Sequence, residues 1–288
     1  MRPCSGAVHY DDGTSVIPSH KNLRNRLLAA LTPDLFDALC DQLEPVPLKP
    51  GEVLVRPGEP IRSVWFVESG IVSAIANTPE DRRIEIGLVG NEGFVGVPLL
   101  LGVDRTPHEN LVQVDGTALR LTSAAFDEAV DRHAALRRLL LRYVHAFQIQ
   151  TSQTALCNSS YNLEERLARW LTMCHDRIDG DEFPLTHEFL SIMLGVRRPG
   201  VTTTIHVLEG AGMIKARRSH IRIVDREKLQ AAAGDSYGVA EAEYARIIEA
   251  ALKDSSAADA HTGLWAEPDA AAGRPHIVRS PGDIGRSS

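Results

Sequence analysis

The chain has little that would suit it to a membrane, a metal centre or a catalytic cleft. Aromatic residues make up only 5% of its 288 positions. No apolar run nears the ~18–20 residues that a bilayer-spanning helix needs. The opening residues, MRPCSGAVHYDDG, hold no apolar stretch that could act as a secretory leader. These absences read as a cytoplasmic protein without a membrane partner. Four cysteines occur, Cys4, Cys40, Cys157 and Cys174; none form C-x-x-C, and their separations fit no zinc module. Reduced, mostly buried thiols are expected, with no metal site and no cofactor. An iron–sulfur cluster would need three or four clustered thiolates. Catalytic signatures are missing too. His187-Glu188 begins like a zinc protease motif, but Ser191 stands where the second histidine should be. Asp176, Asp179 and Asp181 lack the spacing of a calcium loop. No nucleophile–base pair or phosphate-cradling loop stands out, so no enzyme and no catalytic residue is expected.

What is present suits a folded protein of about two domains, with 43% hydrophobic and 24% charged residues. The net charge of -7 speaks against a polyanionic partner, but it is unevenly spread. Residues 186–226 hold seven Lys/Arg against three acids, a local +4 on a remainder of -11. A basic region on an acidic body is the footprint of a polyanion partner.

Residues 1–21 carry no periodicity and are expected to be flexible. Short helices are expected near residues 23–30 and 32–43, the second with Thr32 as cap and Pro33 at its first position. From Val46 to Leu121, short β-branched runs alternate with glycine turns (EVLV, SVWFV, IVSAIA, NLVQV, TALRL). Asp115-Gly116 reads as a two-residue hairpin. Strands this short, with turns every ~8–12 residues, imply a jelly-roll barrel, expected over residues 22–133. Residues 134–158 read as a long helix whose apolar residues recur at three- and four-residue steps. That stripe looks too long for a helix lying on a small barrel alone. A homodimer seam through Leu136, Leu140, Tyr143, Val144 and Phe147 is the preferred reading, with packing inside the chain as the alternative. Residues 159–233 open with another amphipathic helix, through Leu163, Leu167, Trp170 and Leu171. Residues 234–288 hold one further helix, near 239–252, and then a disordered tail rich in Ala, Ser, Asp, Gly and Pro.

The segment LGVRRPGVTTT falls between two helical patterns. Thr186 can cap a helix that Gly195 ends in a left-handed turn. A second helix carries Val201, Ile205 and Leu208 on one buried face. Two helices joined by a short glycine-containing turn make a helix–turn–helix. Proline pushes its predecessor out of the α region, so Arg198 is expected as the cap and Pro199 as the first helical residue. Gly200 keeps bulk away from the free N–H groups that can approach a phosphate. Arg197, Arg198, Thr202, Thr203 and His206 form the expected exposed edge. Arginine can bind guanine bidentately, and threonine can touch a phosphate or a thymine methyl. Two strands then flank Arg217-Arg218-Ser219, a hairpin with a basic tip suited to phosphate contact.

This order resembles the Crp/Fnr family of bacterial transcription regulators over about residues 22–229. The motifs that carry the resemblance are PGEVLVRPGEPIRSVWFVESGIV and LTHEFLSIMLGVRRPGVTTTIHVLEGAGMI. It implies an α+β protein: an N-terminal cyclic-nucleotide-binding-like β jelly roll, a long dimerisation helix and a C-terminal winged helix–turn–helix. It also implies a homodimer on a near-palindromic operator in double-stranded DNA, acting with RNA polymerase. By position, Arg198 matches a base-reading arginine of the family. Pro199 stands where many members have a base-reading glutamate, and Thr203 where one branch has a second arginine. Thr186, His187 and Arg217 match phosphate-contacting positions. The barrel departs from the family pattern. Gly96 is followed by Val97 where cyclic-nucleotide-binding members have a ribose-holding glutamate. His108 and Glu109 fall near their arginine–serine pair, and a carboxylate there would repel a cyclic phosphate. Gly96, Val97, His108 and Glu109 are therefore the candidate effector pocket, for an effector other than cyclic AMP. A haem or another small effector stays open, with His108, His133 or Cys40 as ligand. A sensor or scaffold that has lost DNA binding is the competing reading.

Overall fold

The computed structural model describes residues 17–78 and 83–249. Residues 1–16 and 250–288, where a flexible start and a disordered tail are expected, lie outside the described residues. Two short helices, α1 (Arg26–Ala29) and α2 (Pro33–Cys40), precede the sheet. Thr32 sits at the α2 cap with extended backbone, and Pro33 follows inside the first turn, where its missing N–H costs nothing.

Six antiparallel strands follow: β1 (Glu44–Leu48), β2 (Val53–Val55), β3 (Ser63–Asn77), β4 (Arg83–Val89), β5 (Phe94–Val95) and β6 (Glu109–Thr122). The order along the main path is β1-β6-β3-β4, with β2 on β6 and β5 on β3. The expected hairpin at Asp115-Gly116 does not form. A two-residue hairpin turn of that kind needs positive φ, and neither residue has it. Instead β6 runs straight through, pairing Gly116 with Leu48 and Thr117 with Ser69. The two glycines serve a close crossing of β3 and β6. A Cβ on Gly116 would sit 2.0 Å from the Ser69 carbonyl oxygen, and one on Gly70 2.6 Å from those of Val114 and Asp115. The register shifts around this point, so each strand serves two parts of the sheet.

A short helix α3 (Val97–Leu100) sits between β5 and β6. After β6 come α4 (Ser123–Arg132), the 27-residue α5 (Ala134–Ser160) and α6 (Leu163–His175). Asn162 and Glu165 close a reciprocal capping box on α6. A small sheet of β7 (Glu182–Pro184), β8 (Ile214–Arg217) and β9 (His220–Ile223) brackets α7 (His187–Leu194) and α8 (Arg198–Gly210). Next come α9 (Arg226–Ala233) and α10 (Val239–Tyr244), which passes into a π-helical turn, Ala245–Glu249. The helix expected near 239–252 is thus found as far as 249.

The core has three parts. One lies inside the sheet, around Val67, Val72 and Val112. A second joins the outer helices to the sheet through Phe36, Phe66, Phe94, Phe126 and Leu140. The third runs without a break from Ile71, Ile75 and Leu88 of the sheet into Leu167, Leu171, Leu190, Val201 and Ile221. Cys157 and Cys174 are free and buried, as expected of small apolar side chains. Cys40 is disulfide-bonded, which corrects the expectation of reduced thiols throughout. A disulfide sulfur offers no thiolate, so Cys40 drops out as a ligand.

The long helix needs a correction. Leu136, Leu140 and Tyr143 are 2%, 0% and 2% exposed; they face the chain's own second core. Val144 and Phe147 are half-buried against the same core. The apolar stripe thus packs inside the chain, and Leu136, Leu140 and Tyr143 are not free to form a seam. The outward stripe of α5 is Leu141, His145, Gln148, Ser152, Ala155 and Ser159, all exposed.

Candidate nucleic-acid interface and barrel cavity

Thr186 caps α7, its hydroxyl accepting from the Phe189 N–H at 3.1 Å. Gly195 ends the helix with φ 62° and ψ 33°, the left-handed geometry that glycine adopts without strain. Arg166 of α6 donates to the Leu194 carbonyl, placing a cation at the negative end of α7. The turn rests on the sheet, since a Cβ on Gly195 would stand 3.0 Å from Ile84.

The second helix starts one residue earlier than expected. Arg197 is the cap, with φ -72° and ψ 141°, and Arg198 is the first helical residue. Pro199 therefore takes the second position, where its absent N–H is again one that no helical carbonyl would accept. Helix ends often move by a residue in this way. Val201, Ile205 and Leu208 are buried as expected.

Arg197, Arg198, Pro199, Thr203 and His206 are exposed. Two residues of the expected edge behave differently. Thr202 is half-buried. Its hydroxyl donates to the Arg198 carbonyl at 3.2 Å and lies 3.0 Å from His187 Nδ1, tying α8 to α7. Gly200 is half-buried too, and a Cβ there would stand 3.4 Å from Leu163; it faces α6 rather than outward. The three threonines all return their hydroxyls to the carbonyl four residues back, Thr203 to Pro199 and Thr204 to Gly200. Such bonds absorb the donor; on the exposed Thr203 the methyl and the acceptor lone pairs stay free.

In the hairpin, Arg218 and Ser219 form the tip. Ser219 has φ 58°, the one positive φ outside glycine among the described residues. Lys215 stands opposite Arg222, and Arg217 opposite His220. All four are exposed, while Ile214, Ile221 and Ile223 point inward. Like charges directly opposite are unfavourable by themselves, so this face is suited to a polyanion. Lys215 and Arg222 entered the charge count but not the expected contact set. The period-two alternation around Ile214 and Ile221 is the signal that would have found them. Glu209 of α8 accepts from the Ala216 N–H at 3.1 Å, which fixes the hairpin against the helix.

A cavity of about 140 Å³ lies between the sheet, α3 and α5. It brings together Gly96, Val97 and His108 with Phe94, Tyr143 and Phe147. Gly96 caps α3 with φ 107°, and a Cβ there would meet Val64 at 2.8 Å. His108 Nδ1 is buried without a hydrogen-bond partner. Glu109 does not join the cavity lining; it pairs with Arg83. His133 caps α5 and also stays outside the lining. The described residues hold no group of three or more His, Cys, Asp or Glu able to bind a metal ion.

The sequence profile of the Crp-like helix–turn–helix domain matches residues 165–232, and that of the cyclic nucleotide-binding domain matches residues 45–133. The chain belongs to the Crp/Fnr family. Crp/Fnr relatives include electron transport regulator A of Shewanella oneidensis, 22% identical over 242 residues, 80% of this chain and 92% of that one. The transcriptional activator protein anr of Pseudomonas aeruginosa is 27% identical over 201 residues, 65% of this chain and 80% of that one. Among solved structures, a CRP-family transcriptional regulator from Thermus thermophilus superposes with TM-score 0.57 at 20% identity, covering 66% of this chain and 97% of that one. FixK2 from Bradyrhizobium japonicum gives 0.54 at 15%, covering 66% and 96%. These two likenesses show the fold. The matched profiles and the curated relatives describe a Crp/Fnr-type transcription regulator carrying a helix–turn–helix. No helix among the described residues is long and apolar enough to cross a membrane.

Proposed function

We propose that the protein is a sequence-specific regulator that binds a near-palindromic operator as a homodimer, contacts RNA polymerase, works in the cytoplasm and is not an enzyme. The observation that carries this reading is the exposed start of α8 with Arg197 and Arg198, followed by a hairpin whose exposed face is cationic. Arg198 and Thr203 would read base edges, and His206 would extend the contact along the groove. Thr186, His187, Arg197, Arg217, Arg218 and Ser219 would hold phosphates, joined by Lys215 and Arg222. Pro199 offers no side-chain hydrogen bond at the family's glutamate position, so the operator would differ from the usual consensus.

The division of the chain follows the resemblance: a sensor over 22–133, a linking helix over 134–158 and a DNA-binding unit over 159–233. Subunits would meet on the exposed stripe of α5 from Leu141 to Ser159, whose spacing of three and four suits a helix pair. The effector would be a small, mainly apolar molecule in the cavity near Val97 and His108. At about 140 Å³ that space is well under the ~300 Å³ usual for drug-sized ligands, which disfavours a cyclic nucleotide. Selection of binding sites from a random duplex library tests the reading. An enriched inverted repeat, its half-sites about 34–36 Å apart, is expected; no enrichment over the input library contradicts it.

A further inference from the structure

The segment after α9 folds back across the molecule, beyond the matched helix–turn–helix profile. Tyr237 donates to Asp176 at 2.7 Å, and Tyr244 donates to the Glu92 carbonyl at 2.8 Å. Ile248 is fully buried in the core beneath α5. The segment roofs a chamber of about 290 Å³ with walls from the sheet loop at Asn91 and Glu92, from α5 and from the end of α6. Tyr143 and Phe147 line both it and the smaller cavity near His108.

The polar groups of this chamber are unevenly satisfied. Glu92 accepts from Arg177 at 2.7 Å and from the Gly90 N–H at 3.1 Å. Both Asp176 oxygens are taken, by Arg226 and Tyr237. Gln150 is engaged with both backbone groups of Leu88. Three capacities remain. Asn91 Oδ1 is buried without a hydrogen-bond partner, and the Tyr143 hydroxyl, close to the Phe94 backbone, makes no hydrogen bond of good geometry. Glu241 uses one oxygen on the Gly238 N–H and keeps the other without a hydrogen bond, its charge felt by Arg177 and Arg169. Tyr143 is only 2% exposed. Burial, with Glu92 and Tyr244 beside it, pushes its phenol well above the usual range, so the hydroxyl keeps its proton. Unpaired buried polar groups are costly and call for a partner.

The unmet groups are mostly acceptors, and the walls are aromatic (Tyr143, Phe147, Tyr237, Tyr244). Of the two arginines in the lining, Arg177 sits among Glu92, Asp176 and Glu241, and Arg26 is not free either. Aromatic faces and a carboxylate with an oxygen to spare attract a cation, and an ammonium supplies donors and no acceptor. We propose that this chamber is a second small-molecule site, separate from the barrel cavity, and that it takes a small organic amine with an aromatic body. The ammonium would lie between Glu241 and Asn91, with the ring against Tyr143 and Phe147. This inference does not depend on what the helix–turn–helix binds.

The test uses the full chain and three probes of one shape: phenethylamine, neutral 2-phenylethanol and anionic phenylacetate. Calorimetry and thermal shift should give saturable binding of the amine. The other two should bind at least about tenfold more weakly, about 1.4 kcal/mol. Glu241→Gln and Tyr143→Phe should each weaken the amine several-fold, and His108→Ala in the barrel cavity should leave it unchanged. Glu241→Gln decides the matter should Tyr143→Phe fail to fold. Equal binding of all three probes, no saturable binding of the amine at millimolar concentration, or sensitivity to His108→Ala with none to Glu241→Gln would overturn the proposal.

Discussion

Trp170 of α6 donates its indole N–H to Glu85 of β4 across 2.7 Å, joining the helix–turn–helix half to the sheet. Glu85 is 5% exposed. Burial raises its pKa to about 7, against the lowering pull of hydrogen bonds from Ser73 and Trp170. Ser73 has one hydroxyl hydrogen but lies 2.7 Å from Glu85 Oε2 and 2.8 Å from Gln113 Oε1. A protonated Glu85 that donates to Ser73, which then donates to Gln113, gives each contact one hydrogen.

A pH dependence follows. The folded state holds this proton more tightly than the unfolded chain, whose carboxyl titrates near 4.5. The stabilisation is fully present below that value and is lost as pH rises through about 7, at up to about 1.4 kcal/mol per pH unit. Urea unfolding from pH 5 to 8 should therefore show stability falling more steeply in the wild type than in Glu85→Gln. Identical profiles would refute a titrating Glu85.

The strand crossing predicts a contrast between two glycines. Gly116→Ala forces a Cβ to within 2.0 Å of the Ser69 carbonyl oxygen and should cost about 1–3 kcal/mol or more. Gly210→Ala, at the end of α8, meets nothing within 4 Å and should be neutral or slightly stabilising. Thermal denaturation of both variants checks this. Equal melting temperatures would contradict the close crossing.

Cyclic AMP should leave the melting temperature unchanged, because Val97 supplies no carboxylate for a ribose and Glu109 is committed to Arg83. A ligand that binds only the native state must raise stability with its concentration. A dose-dependent upward shift would show that the cavity accepts the nucleotide after all.

Much of the helix–turn–helix was legible because its signals are local. Thr186, Gly195 and the Val201–Ile205–Leu208 stripe each act through their own backbone. The cap at Arg197 was missed by one residue because proline is accepted at either of the first two helical positions. The strand regions were readable from alternation, but Asp115-Gly116 was not. There the neighbouring strand decides the conformation, and Ser69 lies 48 residues from Thr117 along the chain. The stripe on α5 was visible as apolar, yet periodicity reveals that a face is buried without saying by what. Leu136 and Leu140 are covered by the chain's own core. Gly200 and Thr202 turned inward for the same reason: α6 and His187 come from other parts of the sequence.

The central claim is that the start of α8 reads DNA, with Arg198 making a base contact. The most direct measurement is a parallel binding-site selection on the wild-type protein and Arg198→Ala. The variant should keep the inverted-repeat spacing, lose preference at one symmetric position of each half-site and bind about 1–3 kcal/mol more weakly. An unchanged preference at every position, at wild-type affinity, would contradict it.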